Sequence, residues 1–192
     1  MLIDTLVANP WLVALCWGML SLFDFSATMI YSKAYREFLS ASITYEGGME
    51  LNPVFEKDVQ KLRWFSPRYI LSLLVVGFLV TFIGGWFPSL AFELLAGMVL
   101  LLVLSIDLRH IENLSAVWFM RSDPNSFKGK VEQSYALSQR RVAVATLNIG
   151  LLYLIVYFLV GRVFFLGGTL ICVLFAVRHF LLSRRKISKT AV

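Results

Sequence analysis

Charge, cysteine and histidine are all scarce in this chain, and each shortage closes off a class of protein. Asp, Glu, Lys and Arg make up 16% of the 192 residues, where a soluble globular domain carries about a quarter. That is too little charge to solvate a water-facing surface. The two cysteines, Cys16 and Cys172, each lie inside an apolar block. Lone cysteines there behave as small hydrophobes, and their spacing suggests neither a disulfide framework nor a thiolate metal site. Two histidines cannot hold several bis-histidine haems. There is no H-E-x-x-H and no glycine-rich phosphate loop, the patterns that would mark a zinc peptidase or a nucleotide site, and no paired D-D-x-x-D carboxylate motif. Haem, nucleotide and nucleic acid are therefore not expected.

What the chain does have is apolar residues in blocks. They form 58% of it, with a mean hydropathy of +0.74. Apolar runs of about 18 residues or more read as membrane-spanning helices. Five fit best, at residues 11–30, 69–87, 90–106, 142–160 and 163–182, forming one transmembrane domain over 1–192. The first run lacks a basic flank and a small-residue cleavage site, so it reads as a retained span. Ser66 and Pro67 suit a helix start. Gly84, Gly85 and Pro88 predict one tight turn, and Gly161 with Arg162 another. The expected fold is all-α, a polytopic helical bundle.

The 18 Lys and Arg residues test this layout. Six fall in the loop at 31–68, six in the loop at 107–141, and five at or after the end of the last span, with the basic tail at 183–192. Only Arg162 falls on the other side. Lys and Arg collect on the cytoplasmic side, so the N-terminus is expected outside, the C-terminus inside, and the number of spans odd. The setting expected is a cell membrane, most simply a prokaryotic plasma membrane, with the bilayer and its anionic head groups as partners.

The first loop holds the densest acidic stretch, YEGGMELNPVFEKDV at residues 45–59. Gly47 and Gly48 should break the preceding helix, and Asn52 with Pro53 should start a short one. Phe55, Val59 and Leu62 then share a stripe that ends in Trp64 and Phe65. Such a helix suits the membrane interface.

Polar residues gather at the same depth. Asp24 lies near the inner end of the first span, with Thr28 and Tyr31 on its face. Asp107, His110 and Asn113 recur every three residues after the third span, and Arg178 and His179 end the fifth. Charges inside a span are costly and usually face a cavity or a partner. Carboxylates with Asn and one His suit Mg²⁺, Mn²⁺, Ca²⁺ or Zn²⁺. The metal set is then Asp24, Glu46, Glu50, Asn52, Asp107 and His110, with His110 and Asp24 as candidate catalytic groups. Arg178, His179 and Asn113 would bind a phosphorylated head group. The structural alternatives are plain: Asn52 as a helix cap, Asp107 and Arg109 as interface charges, His110 as a hydrogen-bonded structural residue, and Asp24 in an ion pair. Glu93 is expected to bond between helices or reach the surface, and Asn148 to bond between helices.

Asp24 and Thr28, then a glycine pair, then Glu50, Asn52 and Pro53 resemble a pattern in small uncharacterised prokaryotic membrane proteins. It covers the first third of the chain, departs from the pattern at Ser21 where Asn is usual, and implies no reaction. Three functions follow: a carboxylate-rich inner-leaflet site for a divalent cation with a phosphorylated lipid or prenyl head group, an accessory subunit of a larger membrane complex, or a small cation- or proton-coupled transporter. A homo-oligomer or a membrane-complex partner fits any of them.

Overall fold

The computed structural model describes residues 1–40, 42–45, 55–123 and 129–184. Helix α1 (Leu2–Ala8) leads into α2 (Pro10–Ala34), which runs on as a π-helical turn, Tyr35–Leu39. A short strand β1 (Ile43–Tyr45) and a single turn α3 (Glu56–Gln60) precede α4 (Pro67–Trp86) and α5 (Ser89–Ser122). Strand β2 (Val131–Gln133) pairs in parallel with β1, and α6 (Tyr135–Val160) and α7 (Val163–Ser183) complete the chain. Five of these helices are long and apolar enough to cross a membrane. The chain is all-α apart from the two short strands and has the make-up of a multi-pass membrane protein.

The helix boundaries follow local chemistry. Ser66 caps α4, its hydroxyl accepting from the Tyr69 amide at 3.3 Å, and Pro67 occupies the first turn. Ser134 caps α6 in the same way from the Leu137 amide at 3.2 Å. Gly161 ends α6 in the left-handed conformation, φ 72°, which glycine adopts without steric cost. Pro88 stands at the start of α5, whereas Gly84 and Gly85 lie within α4 rather than in the turn itself.

Two helices overrun their expected lengths. About 20 apolar residues cross a bilayer, but α2 with its π turn covers 30 residues and α5 covers 34. The expected loop at 107–141 is helical from Asp107 to Ser122 and again from Tyr135. Both extensions emerge at the same end of the bundle, the one rich in Lys and Arg.

The helices pack in the spatial order α4, α2, α5, α7, α6. The α5–α7 contact is backbone on backbone. A Cβ on Gly97 would run into the Phe164 carbonyl, and one on Gly167 into that of Leu94. The core between α2, α4, α5 and α7 includes Val13, Val80, Phe92, Ala96, Leu100 and Phe164. At the end away from most basic residues, Arg162 forks onto Glu93, Nε to Oε1 at 2.9 Å and Nη2 to Oε2 at 3.1 Å. Its Nη1 donates to Asp4 Oδ1 at 2.6 Å, and the Phe164 amide donates to Glu93 Oε1 at 3.2 Å. Glu93 thus bonds between helices, as expected, and the clasp ties α1 and α5 to the start of α7.

The loop helix departs from expectation. Among the described residues it is one turn, and its stripe faces protein: Val59 is 3% exposed and packs with Phe55 and Leu62 against Phe25, Met29 and Tyr69. Leu62 has left the helix, with φ 49°. Arg36 holds the end of this turn, donating to the carbonyls of Val59 and Gln60. Asp58 is buried and accepts from the Ser66 hydroxyl at 2.6 Å, joining α3 to the cap of α4. Trp64 and Phe65 are exposed.

Candidate functional site

At the basic end the helices diverge around a cavity of about 440 Å³. Helix α2 lends Asp24, Phe25, Thr28 and Tyr31; α5 lends Ile106, Arg109, His110, Glu112 and Asn113. Ser138, Arg141, Val142 and Ala145 come from α6, and Phe175, Arg178 and His179 from α7. The remaining wall is Phe55, Val59 and Tyr69 on one side and Tyr45 and Gln133 from the paired strands on the other. Six expected residues therefore meet here from three helices, counting Thr28: Asp24, Thr28, His110, Asn113, Arg178 and His179.

Asp24 faces His110. Its Oδ1 lies 2.8 Å from His110 Nε2, and Thr28 Oγ1 is 3.4 Å from the same nitrogen. With Nε2 donating to the carboxylate, the ring links α2 to α5, and its Nδ1 is left buried with no partner among the described residues. In this arrangement the lone pair of the ring is on Nδ1.

Asp107 does not line the cavity. It is 3% exposed, and neither carboxylate oxygen has a hydrogen-bond partner among the described residues. Asp24 and His110 both lie within its electrostatic reach, and Tyr69 lies within reach of both aspartates. The Tyr69 hydroxyl is likewise buried without a partner; its ring stacks on Phe25, centroids 4.2 Å apart. Buried polar groups are nearly always paired, and His110 Nδ1 and the Tyr69 hydroxyl are two unpartnered groups on residues that line this cavity.

A second buried pair joins α6 to α7. His179 Nδ1 bonds to Gln139 Oε1; the two residues are 4% and 0% exposed. His179 Nε2 and Gln139 Nε2 have no partner among the described residues. The His179 ring packs against Phe175, centroids 4.4 Å apart, and the Arg178 guanidinium sits 5.9 Å from the Phe175 centroid. Arg109 and Arg178 both lie within electrostatic reach of His179.

Glu46, Glu50 and Asn52 lie outside the described residues. Among the described residues, no three of His, Cys, Asp and Glu stand together as metal ligands. Asn148 does not bond between helices: it is exposed on the outer face of α6. The sequence alone singles out neither Gln139 nor Arg141, and an interface charge is only one of its readings of Arg109. The signal lay in Ser138, Arg141, Val142 and Ala145, which share a helical face at i, i+3, i+4 and i+7; starting α6 at 142 concealed it. Compared with known proteins, the chain matches no family model, no curated protein and no solved structure. The resemblance carried by Asp24, Thr28, Glu50, Asn52 and Pro53 rests on those residues alone.

Proposed function

We propose that this chain is a multi-pass protein of a prokaryotic plasma membrane, with its N-terminus outside and its C-terminus inside. In this reading it binds the anionic head group of a phosphorylated lipid or prenyl phosphate in the cavity at the inner leaflet. One observation carries the reading: Arg109, Arg141 and Arg178 come from three different helices and line one cavity. A guanidinium fork matches phosphate oxygens in charge and geometry. Phe25, Phe55 and Phe175 on the same walls offer apolar surface to the adjoining part of a chain. The basic residues of the loops and tail support the orientation, and the exposed Trp64 and Phe65 suit the interfacial level this places them at. Asp24 and His110 then add a carboxylate–imidazole pair to the same cavity.

A divalent cation belongs to the same reading. Asp24 and Asp107 lie within electrostatic reach of each other, and paired carboxylates call for a counter-charge or a shared proton. Glu46, Glu50 and Asn52 of the first loop would complete its ligands. Metal analysis of the purified chain checks this separately: a stoichiometric Mg²⁺, Mn²⁺, Ca²⁺ or Zn²⁺ that Asp24→Asn removes supports the cation, and a blank removes it.

The head group is tested by native mass spectrometry of the chain released from mixed phosphatidylcholine and phosphatidylglycerol. The anionic lipid should be retained preferentially, and the triple substitution Arg109→Ala, Arg141→Ala, Arg178→Ala should erase the preference. Equal retention of the two lipids by the unaltered chain would overturn the reading.

A further inference from the structure

Asn148 is a polar side chain that the bundle does not use. It stands six residues beyond Val142, where the apolar run of α6 begins. That is about 9 Å along the helix at 1.5 Å per residue, inside a hydrocarbon core about 30 Å thick. Helix α6 packs on α7 by the opposite face. Thr146 and Gly150, two residues to either side of Asn148, are buried there, and the Gly150 carbonyl accepts from Thr169 of α7 at 3.3 Å. Asn148 itself is exposed, with no side-chain hydrogen bond among the described residues. Thr81, exposed on α4, shows the usual escape: its hydroxyl donates back to the Gly77 carbonyl of its own helix at 2.9 Å. At this depth neither water nor lipid tails can serve the amide, and bonding between helices is what such a side chain does in a membrane.

The surroundings of Asn148 fit a partner helix. Val144, Asn148, Leu151, Ile155 and Phe158 are all exposed and follow at steps of four, three, four and three residues. That is the spacing of a heptad seam, with Asn148 and Ile155 at a positions and the other three at d. A single Asn at an a position fixes register and strand number in such seams. None of the five is Gly, Ala or Ser, so the closer small-residue crossing does not apply. The next position towards the basic end, Arg141, lines the cavity, and the apolar seam stops at Val144. We infer that this face docks a second copy of the chain, α6 against α6 about a two-fold axis along the membrane normal, with the two Asn148 amides bonded to each other. The amide commits the face to that occupant. A carboxamide is its own complement, the N–H of one donating to the oxygen of the other. Two copies inserted with the same topology carry Asn148 at the same depth, as an isologous contact requires. The inference rests on the five spans crossing a membrane and is independent of the head-group site.

The test follows energy transfer between full chains labelled at the C-terminus with donor or acceptor dye, in phosphatidylcholine vesicles of rising lipid-to-protein ratio. The unaltered chain should form dimers that separate on dilution. Asn148→Leu should weaken association roughly 3- to 30-fold, the span of interhelical hydrogen bonds in lipid. Asn148→Gln, which keeps the amide, should retain most of it. A seam held by apolar packing alone would treat Leu as no worse than Asn, so association unchanged by Asn148→Leu overturns the inference. A monomer at every dilution of the unaltered chain overturns it too. A second arm oxidises native membranes carrying the chain with Cys16→Ala, Cys172→Ala and one added cysteine. Leu151→Cys, on the seam, should give a cross-linked dimer. Phe78→Cys, equally open on α4, should not. Equal cross-linking at the two positions, or a Leu151→Cys product with the mass of a different protein, rejects the second copy as the occupant. Head-group retention is read separately, so either failure leaves that reading standing. The dilution series needs no variant, so a substitution that fails to fold does not remove the test.

Discussion

His110 Nε2 lies 2.8 Å from Asp24 Oδ1, joining the two longest helices at the level where they leave the apolar core. Each group would be costly to bury without the other, so their effects on stability should be coupled. A double-mutant cycle of Asp24→Leu and His110→Phe, read by thermal unfolding in detergent, should show an interaction of roughly 1 kcal/mol or more. Additive losses would show that the pair is solvated separately and adds nothing between the helices.

The α5–α7 contact depends on missing side chains. Gly97→Ala puts a methyl group into the Phe164 backbone, which cannot swing aside as a flexible side chain could. The loss should be roughly 1–3 kcal/mol, the usual cost of overpacking. Gly18 has no atom within 4 Å of an added Cβ, so Gly18→Ala should be neutral or stabilising by up to about 1 kcal/mol, as alanine is favoured within a helix. Equal behaviour of the two variants in the same unfolding assay would contradict the packing described.

The clasp at the other end has an acid limit. The N-terminal ammonium first, and Arg162 second, hold the Asp4 carboxyl down at about 2. A carboxyl lowered in the folded state contributes stability that is present above its unfolded value, near 3.8, and is lost as pH falls through the folded one. The tie from Asp4 to Arg162 should hold unchanged from neutral pH to about pH 4 and loosen between pH 4 and 2. The ¹³C resonance of the Asp4 carboxyl should titrate with a midpoint near 2. Arg162→Leu should raise that midpoint only in part, because the ammonium contributes more. An ordinary midpoint in the unaltered chain would mean that Asp4 is not engaged.

Asn148 should tolerate loss of its amide. It is exposed on α6, so Asn148→Leu should change monomer stability by less than about 0.5 kcal/mol. Replacing Gln139, fully buried and bonded to His179, should cost several times that. A large loss at Asn148 in the same assay would mean that the exposed face of α6 is covered.

The number and order of the spans were legible because hydrocarbon thickness imposes a minimum apolar length, and five runs meet it. The ends were not. Beyond residue 106, α5 continues through DLRHIENLSAVWFMRS, where charged and apolar residues alternate without an apolar block. Only the three-residue recurrence of Asp107, His110 and Asn113 marked it as helix. His110 and Asn113 on that recurrence line the cavity, while Asp107 turns into the protein. The first turns of α6 were hidden in the same way, and with them Gln139 and Arg141. The Asp24–His110 pair joins residues 86 positions apart, and no local pattern encodes such a distance. The stripe of Phe55, Val59 and Leu62 was read correctly as apolar and assigned to lipid, but Phe25, Met29 and Tyr69 offered a closer apolar surface.

Orientation is the last expectation, and Arg162 is its hardest case. Seventeen of the 18 Lys and Arg residues fall on one side of the five-span layout and Arg162 on the other. That residue is bound by Glu93 and Asp4, so the charge that would cross to the outside is balanced there by two carboxylates. Acidic residues contribute little to the sorting itself. Glu93→Gln with Asp4→Asn should therefore leave the orientation intact, although it leaves the guanidinium without its partners and should lower stability. In a background with Cys16→Ala and Cys172→Ala, an impermeant thiol reagent applied to intact cells should label Asn9→Cys. It should label Lys130→Cys only after the membrane is opened. Labelling of Lys130→Cys in intact cells would place the arginine cavity on the outer leaflet and remove the inner-leaflet lipids as its ligands.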